Sequence, residues 1–337
     1  MEITTGKGSE ARDPYAPFRA RLLSPARVKQ LSELRPAHVV ADTFLCWLAI
    51  AAAWTAVALH PAWWMVLVAV PIIGSRYYAL FIIGHDGMHR RLFENRRFND
   101  FFNDAFILAP VAAITRINNR NHLLHHQHLA NPWDPDRYRH ACFNKSSRGA
   151  LLAFVTGLAS IWPLVRNVFV GRPAAAPALP APDEADAARR GYSLRDLLLL
   201  AAWQGGLIGG LTWFIGWWAY PALWMAPVYL FAFLGDNLRS FAEHSHPEAD
   251  AKADEHRLLT YTSNLPERML FAPMNMNFHA AHHLWVSIPY YNLPVADREM
   301  RASPGSQGLE WRGSYLAYLL RYSLALPIPG CSPAARA

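Results

Sequence analysis

The sequence predicts an all-α integral membrane protein in which four transmembrane helices form two hairpins and a histidine-rich metal site lies beside the membrane. Three observations support this fold class. The composition is apolar for a chain of 337 residues, with 53% hydrophobic and only 17% charged residues. Two stretches of more than thirty residues contain no charged side chain, and eight histidines are grouped at helical spacings.

Each of the two uncharged stretches has the length of a helical hairpin. The first lies between Asp42 and Arg76, and the second between Asp196 and Asp236. One crossing of a hydrocarbon core about 30 Å thick takes about 20 helical residues, so each stretch is too long for one crossing and suits two. Pro61 and Pro221 mark the turns. The predicted spans are residues 39–59, 62–84, 196–218 and 221–241.

The basic residues predict which side of the membrane each segment faces. The hairpin tips contain no Lys or Arg, whereas the N-terminal segment and the residues after the first hairpin are rich in both. Such segments remain in the cytoplasm. Both termini, the eight grouped histidines and His244 are therefore expected on the cytoplasmic side of a bacterial inner membrane. Residues 1–37 are expected to form a cytosolic N-terminal segment, and residues 38–337 the membrane domain.

Three further segments are assigned from their composition. The apolar runs 105–114 and 149–165 are each expected to form an interfacial or partly buried helix rather than a membrane span. A crossing by residues 149–165 would put the histidine groups on opposite sides of the membrane. Residues 172–182 are rich in Ala and Pro and are expected to form a semi-rigid linker before the second hairpin.

Eight of the nine histidines recur at spacings of three and four residues, and His244 stands alone between two groups. Such spacings return to one face of an α-helix, so each group can direct its imidazoles to one point. Neutral imidazole binds iron, copper, zinc and nickel, and one tetrahedral zinc takes only about four ligands, so the set predicts two metal ions. The candidate ligands are His85, His89, His122, His125, His126, His244, His279, His282 and His283.

The remaining histidines lack this pattern and are expected to have structural or surface roles; they are His38, His60, His128, His140, His246 and His256. Asp86 and Glu243 adjoin candidate ligands, and two interpretations stay open for them. Each carboxylate either holds an imidazole through its second nitrogen or forms a helix cap or surface ion pair. Asp134 and Asp136, in the sequence DPD, are expected to form a turn rather than to contact a lipid headgroup.

Several motifs resemble those of the integral-membrane fatty acid desaturases and the related hydroxylases and ketolases. They are HDGMH at 85–89, NHLLHH at 121–126, AEH at 242–244, NFHAAHH at 277–283 and IPYYNLP at 288–294. The resemblance implies that the four transmembrane helices carry a cytosolic helical cap with a histidine-rich di-iron site. It implies that the nine histidines are the iron ligands and that O2 is the co-substrate. It also implies that a polar residue near His244 holds a water at the site. Ser240 occupies that position here, and Asn237 is the alternative. His279, in place of glutamine, argues against the front-end desaturases.

The resemblance implies an O2-dependent fatty acyl or lipid desaturase that introduces a C=C bond. Two alternatives stay open: a lipid or carotenoid hydroxylase or ketolase on the same scaffold and, less favoured, a non-catalytic membrane metal-binding protein. The sequence contains no HPGG heme motif, ferredoxin-type cysteine set or dinucleotide-binding glycine motif. An external electron donor is therefore expected: a ferredoxin, a rubredoxin, or cytochrome b5 with its reductase. The net charge of +7 requires no nucleic-acid partner, since basic residues beside anionic lipid account for it.

Overall fold

The computed structural model describes residues 15–129, 134–136, 145–159, 191–244 and 258–327, which are mainly helical. The α-helices are α1 (Ala16–Leu22), α2 (Pro25–Leu31), α3 (Pro36–Leu59), α4 (Trp63–Met88), α5 (Arg96–Asn103), α6 (Thr115–His128), α7 (Arg148–Val155), α8 (Leu194–Phe214), α9 (Leu234–His244), α10 (Leu265–Leu270), α11 (His279–Leu284), α12 (Leu293–Ala302) and α13 (Tyr315–Ala325). The strands are β1 (Leu259–Tyr261) and β2 (Glu310–Arg312).

Helices α3 and α4 form the first predicted hairpin. Both are long and apolar enough to cross a membrane. Pro61 lies in the turn between them, where its missing N–H interrupts no helix. α4 ends at Met88, beyond the predicted limit of the span. At about 1.5 Å per residue its 26 residues extend about 39 Å, more than a hydrocarbon core of about 30 Å. α4, whose last turn carries His85, is therefore longer than one crossing of that core requires.

The second apolar stretch begins with α8, which is also long and apolar enough to cross a membrane. Ser193 and Asp196 form a capping box at its start, in which each side chain accepts a hydrogen bond from the other residue's backbone N–H. The helix ends at Phe214, earlier than the predicted limit at residue 218. The chain turns there at Gly216, whose φ of 141° favours glycine.

The predicted fourth span, residues 221–241, is not one regular α-helix. It consists of the π-helical turns Pro221–Met225 and Val228–Phe233, which lead into α9. Proline lacks the N–H that an α-helical hydrogen bond requires. Pro221 and Pro227 stand at the start of the two π-helical turns, so the α-helical ladder is interrupted at both places.

The first of the two shorter apolar runs is buried, as one of the two expectations for it has it, but it is not one regular α-helix. In residues 105–114, a π-helix (Asp104–Leu108) and a 3-10 turn (Ala109–Val111) pack among α3, α4 and α8. Pro110 and the left-handed Ala112 end regular helix there. In the second run, α7 ends at Val155, and residues 160–165 lie outside the described residues. So do the predicted linker, His140, His246 and His256.

The N-terminal helices α1 and α2 pack against the segment that follows the third histidine group. A hydrophobic cluster joins them to α11 and α12 through Phe18, Leu31, Leu284 and other apolar side chains. Asn292 Nδ2 also donates to the Leu31 carbonyl at 2.7 Å. Residues 15–37 therefore form part of the layer that carries the third histidine group.

A small sheet departs from the predicted all-α fold. Strands β1 and β2 pair in parallel, with Thr260 opposite Trp311. Each strand has three residues, too few for a recognisable period of two. The sheet joins residues about fifty positions apart and places β1 beside α9 and α11, both of which carry candidate ligands.

Candidate metal centre

Three helix ends bring five of the candidate ligands together. α4 and its C-cap supply two, α6 supplies two and α11 supplies one. Each residue offers a ring nitrogen within 4.8 Å of those of the others. We call this group cluster A; its members are His85, His89, His122, His126 and His282.

The other four histidines form a second group, cluster B. Its members are His125, His244, His279 and His283. The ligand atoms of His125, His244 and His283 lie within 4.8 Å of one another, and His279 Nε2 lies 2.8 Å from His244 Nε2. Both α6 and α11 contribute to both clusters, because adjacent residues on a helix point in different directions. The clusters adjoin, with the rings of His126 and His283 centred 4.2 Å apart.

The imidazoles of cluster A face one another through their nitrogens. His122 Nε2 lies 2.7 Å from His89 Nε2 and 3.2 Å from His126 Nε2. Burial, reinforced by neighbouring imidazoles, lowers the pKa of His122 and His126 well below its usual range, and burial lowers the pKa of His89 to about 3. These rings are therefore neutral at pH 7. Converging neutral imidazoles provide lone pairs, which is the donor set that a transition metal requires.

Glu243 contacts cluster B at His279. Its carboxylate is fully buried, and Oε2 lies 3.2 Å from His279 Nδ1. Arg239 Nη1 donates to Oε2 at 3.0 Å, and Tyr315 Oη donates to Oε1 at 2.6 Å. Arg239 also donates to Asp236 at 2.8 Å. Of the two open interpretations for Glu243, the geometry favours a carboxylate that orients an imidazole, because Glu243 is neither exposed nor at a helix start.

Asp86 occupies a different place. Its Oδ2 accepts the backbone N–H of Tyr290 at 2.7 Å, whereas its Oδ1 lies 3.9 Å from His85 Nδ1, too far for a hydrogen bond. Tyr290 belongs to the segment that follows the third histidine group. Asp86 therefore ties the first histidine group to that segment and does not hold His85 directly.

Asp134 faces the site, although its sequence suggested only a turn. Its Oδ1 accepts the backbone N–H of Asp136 at 2.8 Å, as in the expected turn. The same oxygen lies 3.1 Å from His125 Nδ1, and both side chains are buried. An imidazole that donates from Nδ1 to a carboxylate presents Nε2 to a metal. The turn signal at residues 134–136 contained no indication of this second contact.

Replacing Asp134 with asparagine is expected to weaken metal binding at cluster B by about 10–100-fold, the usual effect of losing a carboxylate that orients a histidine ligand. Asparagine preserves the side-chain shape but removes the charge that fixes the His125 tautomer. Chelator competition on the purified protein measures the change. The matched control is Asp100→Asn, because Asp100 pairs with Arg90 outside both clusters. Equal affinities in the two variants would exclude this role for Asp134.

A cavity of about 250 Å³ opens onto both clusters. Phe81, Met88, Leu108 and Ala113 form an apolar part of its wall, and Asn118, Asn121 and Asp136 are among its polar lining residues. Ser240 lines the cavity together with His244, one helical turn away on α9. Asn237 is buried but is not part of the wall. Ser240 is therefore the better placed of the two to hold a water at the site.

Comparison with known proteins agrees with this geometry. The sequence matches the fatty acid desaturase family over residues 61–315, more than half of the chain. It is 25% identical over 282 residues to the sn-1 oleoyl-lipid 12-desaturase of Anabaena variabilis, which covers 78% of this chain and 74% of that protein. It is 36% identical over 111 residues to the dihydrorhizobitoxine desaturase of Bradyrhizobium elkanii. That match spans 32% of each chain, about a third of their length. The chain is an oxidoreductase and belongs to the fatty acid desaturase family.

Proposed function

We propose that this protein is an O2-dependent di-iron desaturase that introduces a C=C bond into the acyl chain of a membrane lipid. The observation that carries the proposal is the convergence of nine histidines in two adjoining clusters, at the ends of apolar helices, in a chain of this family. Neither general acid–base groups nor nucleophiles act on an unactivated C–H bond, so a redox centre is required.

The residues present fit two iron ions. Cluster A would hold one ion and cluster B the other, and Ser240 would retain a water beside His244. Irons bound there would supply O2 activation and the capacity to remove hydrogen from an alkyl chain. The protein's own groups orient the ligands: Glu243 faces His279 and Asp134 faces His125. Cluster B is buried and most of cluster A is half-buried, which limits the access of bulk water and the side reactions that it causes.

The proposed topology places the reaction at the cytoplasmic surface. Four spans, the fourth formed by the π-helical turns and the start of α9, would put both termini and both clusters on one side. The basic residues outside the hairpins support a cytoplasmic location in a bacterial inner membrane. The end of α4 beyond the hydrocarbon core would carry His85 and His89 into the cytosolic cap.

The reaction also requires an external reductant. Removing two hydrogen atoms from adjacent carbons reduces O2 to two waters only if two further electrons and two protons are supplied. The sequence contains no heme, iron–sulfur or dinucleotide-binding motif. We therefore propose an external electron donor that docks at the cytoplasmic surface: a ferredoxin, a rubredoxin, or cytochrome b5 with its reductase.

The acyl substrate is proposed from two observations. The similarity to an oleoyl-lipid desaturase extends over 78% of this chain, against 32% for the other relative. The cavity also has a wall of apolar side chains beside the histidines, as an alkyl chain requires. Its polar residues, such as Asn121 and Asp136, lie where a headgroup or carrier would emerge.

Expression in a host of known lipid composition tests the proposal. Gas chromatography with mass spectrometry of the total lipids is expected to reveal an unsaturated acyl chain that is absent when the empty vector is used. The purified protein is expected to contain about two irons per chain, since about four to five ligands serve each ion. A hydroxylated or ketonic product instead would reassign the protein to the hydroxylases or ketolases. A single zinc and no new product would favour a non-catalytic metal-binding protein.

A further inference from the structure

One part of the apolar bundle has an irregular backbone. Residues 104–113, which we call the re-entrant segment, consist of a π-helix, a 3-10 turn and the left-handed residue Ala112. The segment reaches the middle of the bundle, because it contacts Trp47, the twelfth of the 24 residues of α3. Irregular backbone at membrane depth is tolerated only where it is buried in protein or lines a cavity. The re-entrant segment does both.

Side chains of the surrounding helices satisfy its carbonyl groups. Five side chains, from three tryptophans, a tyrosine and a glutamine, donate hydrogen bonds to the segment. The pairs are Trp203 Nε1 with Ala105 O (2.7 Å), Trp47 Nε1 with Phe106 O (2.8 Å), Tyr77 Oη with Ile107 O (2.6 Å), Gln204 Nε2 with Pro110 O (2.9 Å) and Trp224 Nε1 with Pro110 O (3.2 Å). Buried backbone groups without partners are costly in an apolar medium. These bonds therefore fix the segment in place.

The other side of the re-entrant segment lines the cavity that opens onto clusters A and B. Leu108 and Ala113 form part of the wall that also includes Phe81 and His85. The Ala113 N–H donates to the Leu108 carbonyl at 3.1 Å, which ties the two lining residues together. The segment packs closely on α4 at Gly84, where a Cβ would lie 2.7 Å from Ile107 Cγ2. Phe81 precedes His85 by one turn of α4, so this part of the wall lies on the membrane side of the histidines.

We propose that the re-entrant segment closes the membrane end of the cavity and limits how far an acyl chain extends past the metal centre, with Leu108 and Ala113 as the specificity-determining residues. The inference rests on the proposed function and deepens it. A cavity of about 250 Å³ is smaller than the range of about 300–1,000 Å³ usual for drug-sized ligands. A single side chain at its end therefore changes a large part of the available length.

The test supplies expressing cells with saturated straight-chain fatty acids that differ by single methylenes and measures the fraction of each that is desaturated. Leu108→Ala lengthens the cavity and is expected to shift the preference toward longer chains by about tenfold or more, since one methylene in an apolar pocket changes selectivity by about 10–200-fold. Ala113→Phe shortens the cavity and is expected to shift the preference toward shorter chains. Ala113→Val gives a milder change of the same direction if the larger side chain prevents folding.

The controls carry the same substitutions outside the cavity. Leu48→Ala alters a leucine of α3 that is 51% exposed in the absence of lipid, and Ala201→Phe alters an exposed position of α8. Both are expected to retain the wild-type profile. Identical profiles in the cavity variants and the controls would overturn the proposal, because the residues lining the end of the cavity would then not limit the chain.

A binding measurement separates this inference from the proposed function. Cells are fed palmitic acid with a diazirine at its methyl end, and the protein is irradiated in the membrane, purified and mapped by mass spectrometry. Label is expected on residues 104–113 of the wild-type protein and is expected to be lost in Ala113→Phe. Label on these residues without any unsaturated product would support the proposed end of the cavity and reject the proposed desaturase activity. Unsaturated product with label confined to other segments would reject only the proposed end of the cavity. If neither the label on residues 104–113 nor an unsaturated product is found, both proposals are rejected.

Discussion

Replacing His282 with alanine is expected to abolish desaturation and to remove one of the two irons, so that the metal content falls from about two ions per chain toward about one. His282 contributes to cluster A, where its Nε2 lies 3.2 Å from that of His126. Neighbouring imidazoles are fixed on their own helix faces and cannot move to replace it. Iron content after a defined chelator challenge, together with lipid analysis, measures both effects.

The adjacent residue gives a matched comparison. His283 belongs to cluster B, so His283→Ala is expected to remove the other iron and to leave cluster A loaded. His60→Ala serves as the control because His60 is exposed in the turn between α3 and α4. Full iron content and full turnover in His282→Ala would contradict the assignment of cluster A. Loss of both irons in each variant would show that the clusters bind metal as one unit.

The sequence contained most of the information about the metal centre, because histidine spacing reports directly on helix faces. His122 and His126, four residues apart, lie in cluster A, while His125 between them points to cluster B. Length and the absence of charge likewise predicted α3, α4 and α8, since a membrane crossing requires a minimum number of apolar residues. These features follow from local rules of helix geometry and solvation.

The contacts that orient the ligands depend on pairing between distant segments, which no local pattern encodes. Arg239 and Tyr315 both bind Glu243, although Tyr315 lies 72 positions away in the sequence. The re-entrant segment was expected to be an interfacial or partly buried helix, because its apolar sequence does not reveal that Trp47 and Trp203 donate to its carbonyls. The sequence at Asp134 likewise predicted a turn and gave no sign of its contact with His125. Tertiary partners, which appear only in the folded chain, decide these roles.

Glu243 is the residue outside the histidine set whose substitution is expected to have the largest effect. Glu243→Gln removes the buried negative charge and leaves Arg239 with Asp236 as its remaining acidic partner among the described contacts. Breaking a buried ion pair by altering one partner costs about 3–5 kcal/mol of stability. The His279 ring also loses the carboxylate beside its Nδ1. Metal affinity at cluster B is therefore expected to fall by about 10–100-fold.

Two further variants separate the loss of the Glu243 charge from the loss of a hydrogen bond to it. Tyr315→Phe removes only the hydroxyl donor to Glu243 and leaves the carboxylate beside both Arg239 and His279, so it is expected to lower stability while retaining metal affinity. Glu243→Asp keeps the charge on a shorter side chain and is expected to recover part of the metal affinity that Glu243→Gln loses. Thermal unfolding and chelator competition in detergent measure the two quantities separately. Tyr315→Phe keeps a negative charge beside His279, and Glu243→Gln does not. If Glu243→Gln nevertheless binds metal as tightly as Tyr315→Phe, the carboxylate stabilises the fold without orienting His279.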